Sequence, residues 1–143
     1  MVRYSLIIFS WIIIALALSC SVIAEEKQTE TKPLLLVHNM RSRIESDYVI
    51  VEGMVENIGD IPLKSIACIV MLFDAREELV TSSEALTKFN PILPKQKSPF
   101  RVMVKYNWDA KTYSIDFQRL FGPTIPWKSK SGFSAKTLFI IGK

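Results

Sequence analysis

The amino-acid sequence predicts an all-β protein, an immunoglobulin-like β-sandwich of about seven strands, preceded by an N-terminal signal or anchor helix. Three observations lead there. Apolar and polar residues alternate with a two-residue period in several short runs, and those runs are separated by Asn, Gly, Asp and Pro. Beyond the first 24 residues no stretch carries the three-and-four spacing of an amphipathic helix. With 143 residues, 49% hydrophobic and 22% charged, the chain has room for one core and is too apolar for disorder.

The first element is the segment 1–24. Arg3 supplies a basic start, Leu6 to Leu18 is apolar, and the small residues Ser19, Cys20, Ser21 and Ala24 follow. A basic end that stays in the cytoplasm ahead of an apolar segment that enters the translocon predicts export of everything after residue 25. The expected location is periplasmic or extracellular. Three endings stay open. Cleavage after Ala24 would release a soluble chain. "LALSC" is similar to the lipobox of bacterial lipoproteins, which would lipidate Cys20, although Ala17 stands where that pattern has a branched aliphatic residue. Leu6 to Ala24 also approaches the roughly 20 residues that span a bilayer, so the segment could stay as an anchor. Residues 25–33, "EEKQTETKP", form a polar tether. After residue 24 the chain has the single cysteine Cys68, which excludes an internal disulfide, and its place in an apolar run predicts a buried thiol.

The predicted sandwich covers residues 34–117. In "YVIVEGMVEN", Val49, Val51, Gly53 and Val55 share one face and Tyr48, Ile50, Glu52, Met54 and Glu56 the other. Phe100, Val102, Val104 and Tyr106 alternate with Arg101, Met103 and Lys105, as Tyr113, Ile115 and Phe117 do with Ser114 and Asp116. Ile66 to Phe73 is apolar on both faces, which predicts a strand covered by the opposite sheet and by further chain. "DAREE" then supplies a turn, with Asp74 bonding nearby backbone amides, and "LVTSSEALTKF" runs back as a more polar neighbour. "ENIGDIPL" is a turn segment, and "NPILPKQKSP", with three prolines, is a crossover between sheets.

In "VEGMVENIGDIPLKSIACIVMLFDAREELV", followed by "LPKQKSPFRVMV" and "YSIDF", the chain resembles an FxLYD domain, a family of exported prokaryotic modules. Gly53, Val55, Asn57, Gly59, Pro62 and Leu63 match its first block, and Leu72 and Asp74 its naming motif. Val70 stands where the family has phenylalanine, Phe73 where it has tyrosine, and Lys95 where it has glycine after the matching Pro94. The likeness runs from Val49 to Phe117 and consists of structural punctuation. It implies the fold and, since the family has no established common activity, no chemistry.

The residues themselves carry no catalytic constellation. His38 is the lone histidine and has no partner nearby in sequence, while the acid pairs Glu25/Glu26 and Glu77/Glu78 fall in the tether and in a turn. Phosphate loop, CxxC and calcium loop are absent, so the expectation is a non-enzymatic protein without a metal or cofactor.

Charge is unevenly spread. Seven Lys/Arg stand against twelve Asp/Glu from Glu25 to Pro94, a net of −5, and ten against two from Lys95 to Lys143, a net of +8. Opposite charges meeting across paired strands explain this most simply. A basic face for anionic lipid or an acidic polymer is the functional alternative, and nucleic acid is not expected. Residues 118–143 form a basic, aromatic tail expected to wrap over the sandwich, with "KTLFIIG" as a candidate edge strand. Its candidate binding surface is Trp108, Arg119, Trp127, Lys128, Lys130 and Lys136. Two functions follow as expectations. One is an exported accessory or adaptor module of the cell envelope that binds a protein partner or the membrane surface. The other is a small-molecule or glycan-binding protein, with Trp108 and Trp127 as a platform for sugar rings.

Overall fold

Residues 31–132 and 139–140 are described in a computed structural model, and all their regular elements are strands. β1 (Leu35–Glu45), β2 (Tyr48–Asn57), β5 (Lys97–Lys105) and β7 (Trp127–Ser129) form one sheet in the order β5-β2-β1-β7. β3 (Ile66–Phe73), β4 (Leu79–Leu86), β6 (Thr112–Arg119) and β8 (Phe139–Ile140) form the other in the order β4-β3-β6-β8. Neighbours run antiparallel, except that β7 lies parallel to β1. The predicted β-sandwich is the observed fold.

The alternation seen in the sequence becomes the two faces of each layer. Val49, Val51 and Val55 of β2 and Phe100, Val102 and Val104 of β5 point inward, toward Cys68, Val70 and Leu72 of β3 and Tyr113, Ile115 and Phe117 of β6. Phe117 meets Phe100 edge-on at 5.4 Å and Trp127 at 5.8 Å, which joins the layers through three rings. Pro99 sits inside β5, where it is tolerated because β5 is an edge strand.

Glycine at position 53 has a steric cause. β1 carries a bulge between Val37 and Met40, opposite Gly53. A Cβ there would stand 2.6 Å from the carbonyl oxygen of Asn39 and 2.8 Å from the Phe100 ring.

Asn57 is fully buried at the end of β2. Its Nδ2 donates to the carbonyls of Ile61 (2.8 Å) and Ile92 (2.9 Å), and its Oδ1 accepts the Gly59 N–H (2.9 Å). Its backbone N–H donates to Gln96 and its carbonyl accepts from Lys95. One side chain thus ties the 58–65 loop to the 87–96 crossover, which the Leu63–Ile92 bridge reinforces. Lys95, where the resemblance puts glycine, has φ +65°, a left-handed conformation that costs a side-chain-bearing residue about 1 kcal/mol or more.

Two expectations change. The segment 118–143 does more than wrap: β6 runs on to Arg119 and β7 extends the first sheet, while β8, within the expected "KTLFIIG" strand, extends the second beside Thr112 and Tyr113. The outward residues of β3, Ile69, Met71 and Phe73, are half-buried rather than covered. In register they lie between polar neighbours on β4 and β6, such as Glu84 and Asp116 beside Ile69. The segment 1–24, with its signal or anchor reading, lies outside the described residues.

Asn57→Ala and Asn57→Asp should each lower unfolding free energy by about 2–4 kcal/mol in urea titrations, because either removes the side-chain donor to the Ile61 carbonyl and the second donor to the Ile92 carbonyl, and with them the tie between the two loops. Lys95→Gly should raise it by about 0.5–1 kcal/mol, the relief at positive φ less the entropy glycine adds to the unfolded chain.

Candidate functional site

Among the described residues, the predicted basic and aromatic side chains do not assemble into one surface. Trp127 is a core residue, 9% exposed, with its Nε1 donating to Asp116 (3.2 Å). Trp108 is 82% exposed and stacks edge-on against Tyr106 in the turn after β5. One lies beside the end of β6 and the other before its start, so the two indoles cannot form a common platform. That expectation is corrected: parallel pairing with β1 carries Trp127 inward. Arg119, Lys128 and Lys130 are exposed, and all three lie toward the end of the sandwich where β1 begins. Lys136 and Cys20 lie outside the described residues.

His38 is part-buried in the middle of β1, where its Nε2 shares a 2.6 Å hydrogen bond with Glu56 Oε2 on β2. Asp74 accepts the N–H groups of Arg76 (2.8 Å) and Glu78 (2.9 Å), as its place in the turn predicts. The Glu78 amide, helped by that of Arg76, holds its carboxyl below the usual carboxylate range. Cys68 is buried, and burial, with the Asp116 charge adding, pushes its thiol well above the usual range.

Much of the opposite charge meets across strands. On the outer face of the first sheet, Glu52 receives Arg41 Nε (2.6 Å) and Arg43 Nη1 (2.9 Å), with Arg101 4.0 Å away. The Arg41 hydrogen bond, then that of Arg43, holds the Glu52 carboxyl below its ordinary range. Lys97 lies directly opposite Glu56. Beside this cluster an open groove of about 680 Å³, lined by Gly53, Met54, Pro99 and Arg101, runs to Leu86 and Lys88 at the β4 edge.

The end of the sandwich at which β1 begins has a different character. Three segments, 58–65, 87–96 and 119–126, meet there through backbone and side-chain bonds. Leu63 and Ile92 exchange hydrogen bonds, the Leu120 N–H donates to Ser65, and the Ser65 N–H donates to Asn90. These segments expose Ile61, Phe89, Leu93, Leu120 and Phe121. Phe121 is 98% exposed and has φ +58° in the 119–122 turn, a conformation that costs a bulky residue roughly 1–3 kcal/mol. Stability favours neither the ring nor that conformation. The same segments carry the exposed Lys64, Lys88, Lys95 and Arg119, and among their described residues Asp60 is the single acid.

Sequence reasoning places Phe89 in the strand "LVTSSEALTKF", Leu120 and Phe121 in a tail wrapped over the sandwich, and Ile61 and Leu93 in a turn and a crossover, so it misses their common exposure. A signal was present. "DIPL", "PILP" and "RLFGP" each place two bulky apolar residues in a short loop, more than the end of a sandwich buries: Leu63 and Ile92 go inward, and Ile61, Leu93, Leu120 and Phe121 stay out.

No protein-family model matches the chain, and no curated protein is similar to it. Among solved structures, IrmA from Escherichia coli superposes with a TM-score of 0.43 and 7% identity, over 70% of this chain and 93% of that one. A likeness of that size carries no argument about function.

Two measurements check the site description. Glu52 is depressed in the fold, so its contribution to stability is present above the carboxylate pKa of the unfolded chain and is lost as pH falls through its lower folded value. The urea midpoint of the wild type should therefore exceed that of Glu52→Gln at neutral pH, and the gap should close in acid. Cys68 should resist thiol reagents in native protein and react fully in denaturant, read against a Cys20→Ser chain so that only one thiol is counted.

Proposed function

We propose that this protein is an exported, FxLYD-like accessory module of the cell envelope that works by docking rather than by catalysis. One observation carries the reading. Five large apolar side chains stand exposed on three interlocked loops at one end of the sandwich, with Phe121 held at positive φ and open to solvent. A surface that gains nothing for the isolated domain is the kind that binding partners bury. Export rests on the basic, apolar and small-residue zones of residues 1–24.

A photo-crosslinking residue at position 121 of the full chain, compared with one at Ser82 on the polar strand β4, tests the reading in cells. Position 121 should yield adducts with envelope components that position 82 does not. Equal yields at both positions would sink it, and an unprocessed cytoplasmic product by mass spectrometry would remove the envelope.

A second reading keeps a small ligand. The groove beside Arg41, Arg101 and Lys88 has the volume of a ligand site and cationic groups at its rim, which suits an anionic molecule better than a sugar. It replaces the proposed aromatic platform of Trp108 and Trp127, whose indoles lie apart.

A further inference from the structure

Resting on the docking reading above, we infer that the partner of the loop end is an anionic lipid bilayer, with Phe121, Leu120, Leu93, Ile61 and Phe89 entering the headgroup region and the surrounding lysines and Arg119 resting on lipid phosphates. Three independent features point to lipid.

The first is the pairing of residue types. Exposed aliphatic and aromatic side chains on loops that also carry exposed cations match a surface whose interior is apolar and whose rim is anionic. Lys64, Lys88, Lys95 and Arg119 are all exposed, with Asp60 alone against them among the described residues of the three loops. The opposite end carries the reverse balance: Glu45, Asp47, Asp74, Glu77, Glu78 and Asp109 outnumber Arg43, Arg76, Lys105 and Lys111. The sandwich is therefore polarised along its strands, and an anionic surface would orient it loop end first.

The second feature is where the chain enters. The Leu34 N–H donates to Pro126 and the Leu34 carbonyl accepts from Ile58, so the polar tether joins the sandwich among these same loops. Lys32, exposed, adds a further cation at that point. Residues 25–33 span at most roughly 30 Å. Should residue 20 carry lipid or the segment before it stay in the bilayer, this end is the one delivered to the membrane.

The third feature is rigidity. The Asn57 hydrogen bonds and the Leu63–Ile92 bridge fix the loops, so seating the tips costs little ordering. A protein partner would also bury apolar tips, yet cations on all three loops and entry of the tether favour the bilayer.

Hydrogen exchange of the full chain, reconstituted in phosphatidylcholine vesicles with and without phosphatidylglycerol, tests this. With the anionic lipid, peptides from 58–65, 88–95 and 119–124 should exchange more slowly while the 74–78 turn stays unchanged, and added salt should reverse the effect. Lys95→Glu should weaken the protection by about fivefold or more, as expected for loss of one phosphate-facing charge. Phe121→Asp should abolish it in all three loops at an undiminished melting temperature, since the ring touches little of the fold.

Equal exchange in both vesicle types, or protection that survives Phe121→Asp, overturns the lipid assignment. Protection that scales with protein rather than lipid concentration also overturns it, in favour of a second copy. If the position-121 crosslinks in cells go to protein while the vesicles give no protection, docking stands and lipid falls. If both are absent, both readings fall.

Discussion

The arrangement at the loop end hangs on the amide of Asn57. A sandwich must close its open ends with loops, and loops bring backbone groups that no ladder satisfies. Asn57 meets that need from the last position of β2, giving two donors and one acceptor to segments far apart in sequence. No other side chain of that size offers both functions at once. Asp lacks the donors, and Leu lacks everything but volume. Because the amide is buried, each of its bonds counts for more than it would in water, and an absent partner would cost more too. The consequence is a loop end as firmly placed as the strands beneath it.

Firm placement changes what exposed apolar residues mean. On a floppy loop, Leu93 or Phe121 could fold back onto the core, and exposure would be a passing state. Here Leu63 and Ile92 already fill the position beneath, fully buried, and they leave the residues beside them nowhere inward to go. The same logic explains Arg119 to Gly122. The Gly122 N–H closes the turn onto the Arg119 carbonyl, and the Gln118–Thr124 bridge holds its base, so Phe121 is presented at the apex.

Much of the sandwich was legible in the sequence because core residues recur at every second position of β2, β5 and β6, with Ile50 and Ser114 the buried residues that fall between them. That period is a direct image of the pleat. The bulge in β1 was not legible, since Gly53 on the partner strand signals a close approach without saying which backbone comes near; Asn39 is the answer. Nor could spacing reveal that residues 127–129 join β1 in parallel, because parallel neighbours need no turn signal between them. That single pairing decided the fate of Trp127, and with it the proposed sugar platform. The charge asymmetry along the chain was visible, but its meaning divided on folding. Arg101 and Lys97 of β5 stand in register opposite Glu52 and Glu56 of β2, whereas Lys88, Lys95 and Arg119 face no acid across a strand pair and lie at one end.

Separating those two uses of positive charge also explains why the groove and the loop end suit different occupants. At the groove, the Glu52 carboxylate already takes hydrogen bonds from Arg41 and Arg43, so an incoming anion must compete with it for the same guanidinium groups. Arg101, 4.0 Å from Glu52 and more loosely held, is the cation there most able to turn to a ligand. At the loop end no hydrogen bond or ion pair engages the side chains of Lys64, Lys88, Lys95 or Arg119 among the described residues, and these four charges are spread over three loops rather than focused on a point. A focused cation selects a small ligand with matching geometry, whereas dispersed lysines around apolar tips respond to the average field of an extended surface and to the depth of its apolar layer. The loop end is therefore built for area rather than for a molecule, and the rigid frame beneath it lets that area act as one unit.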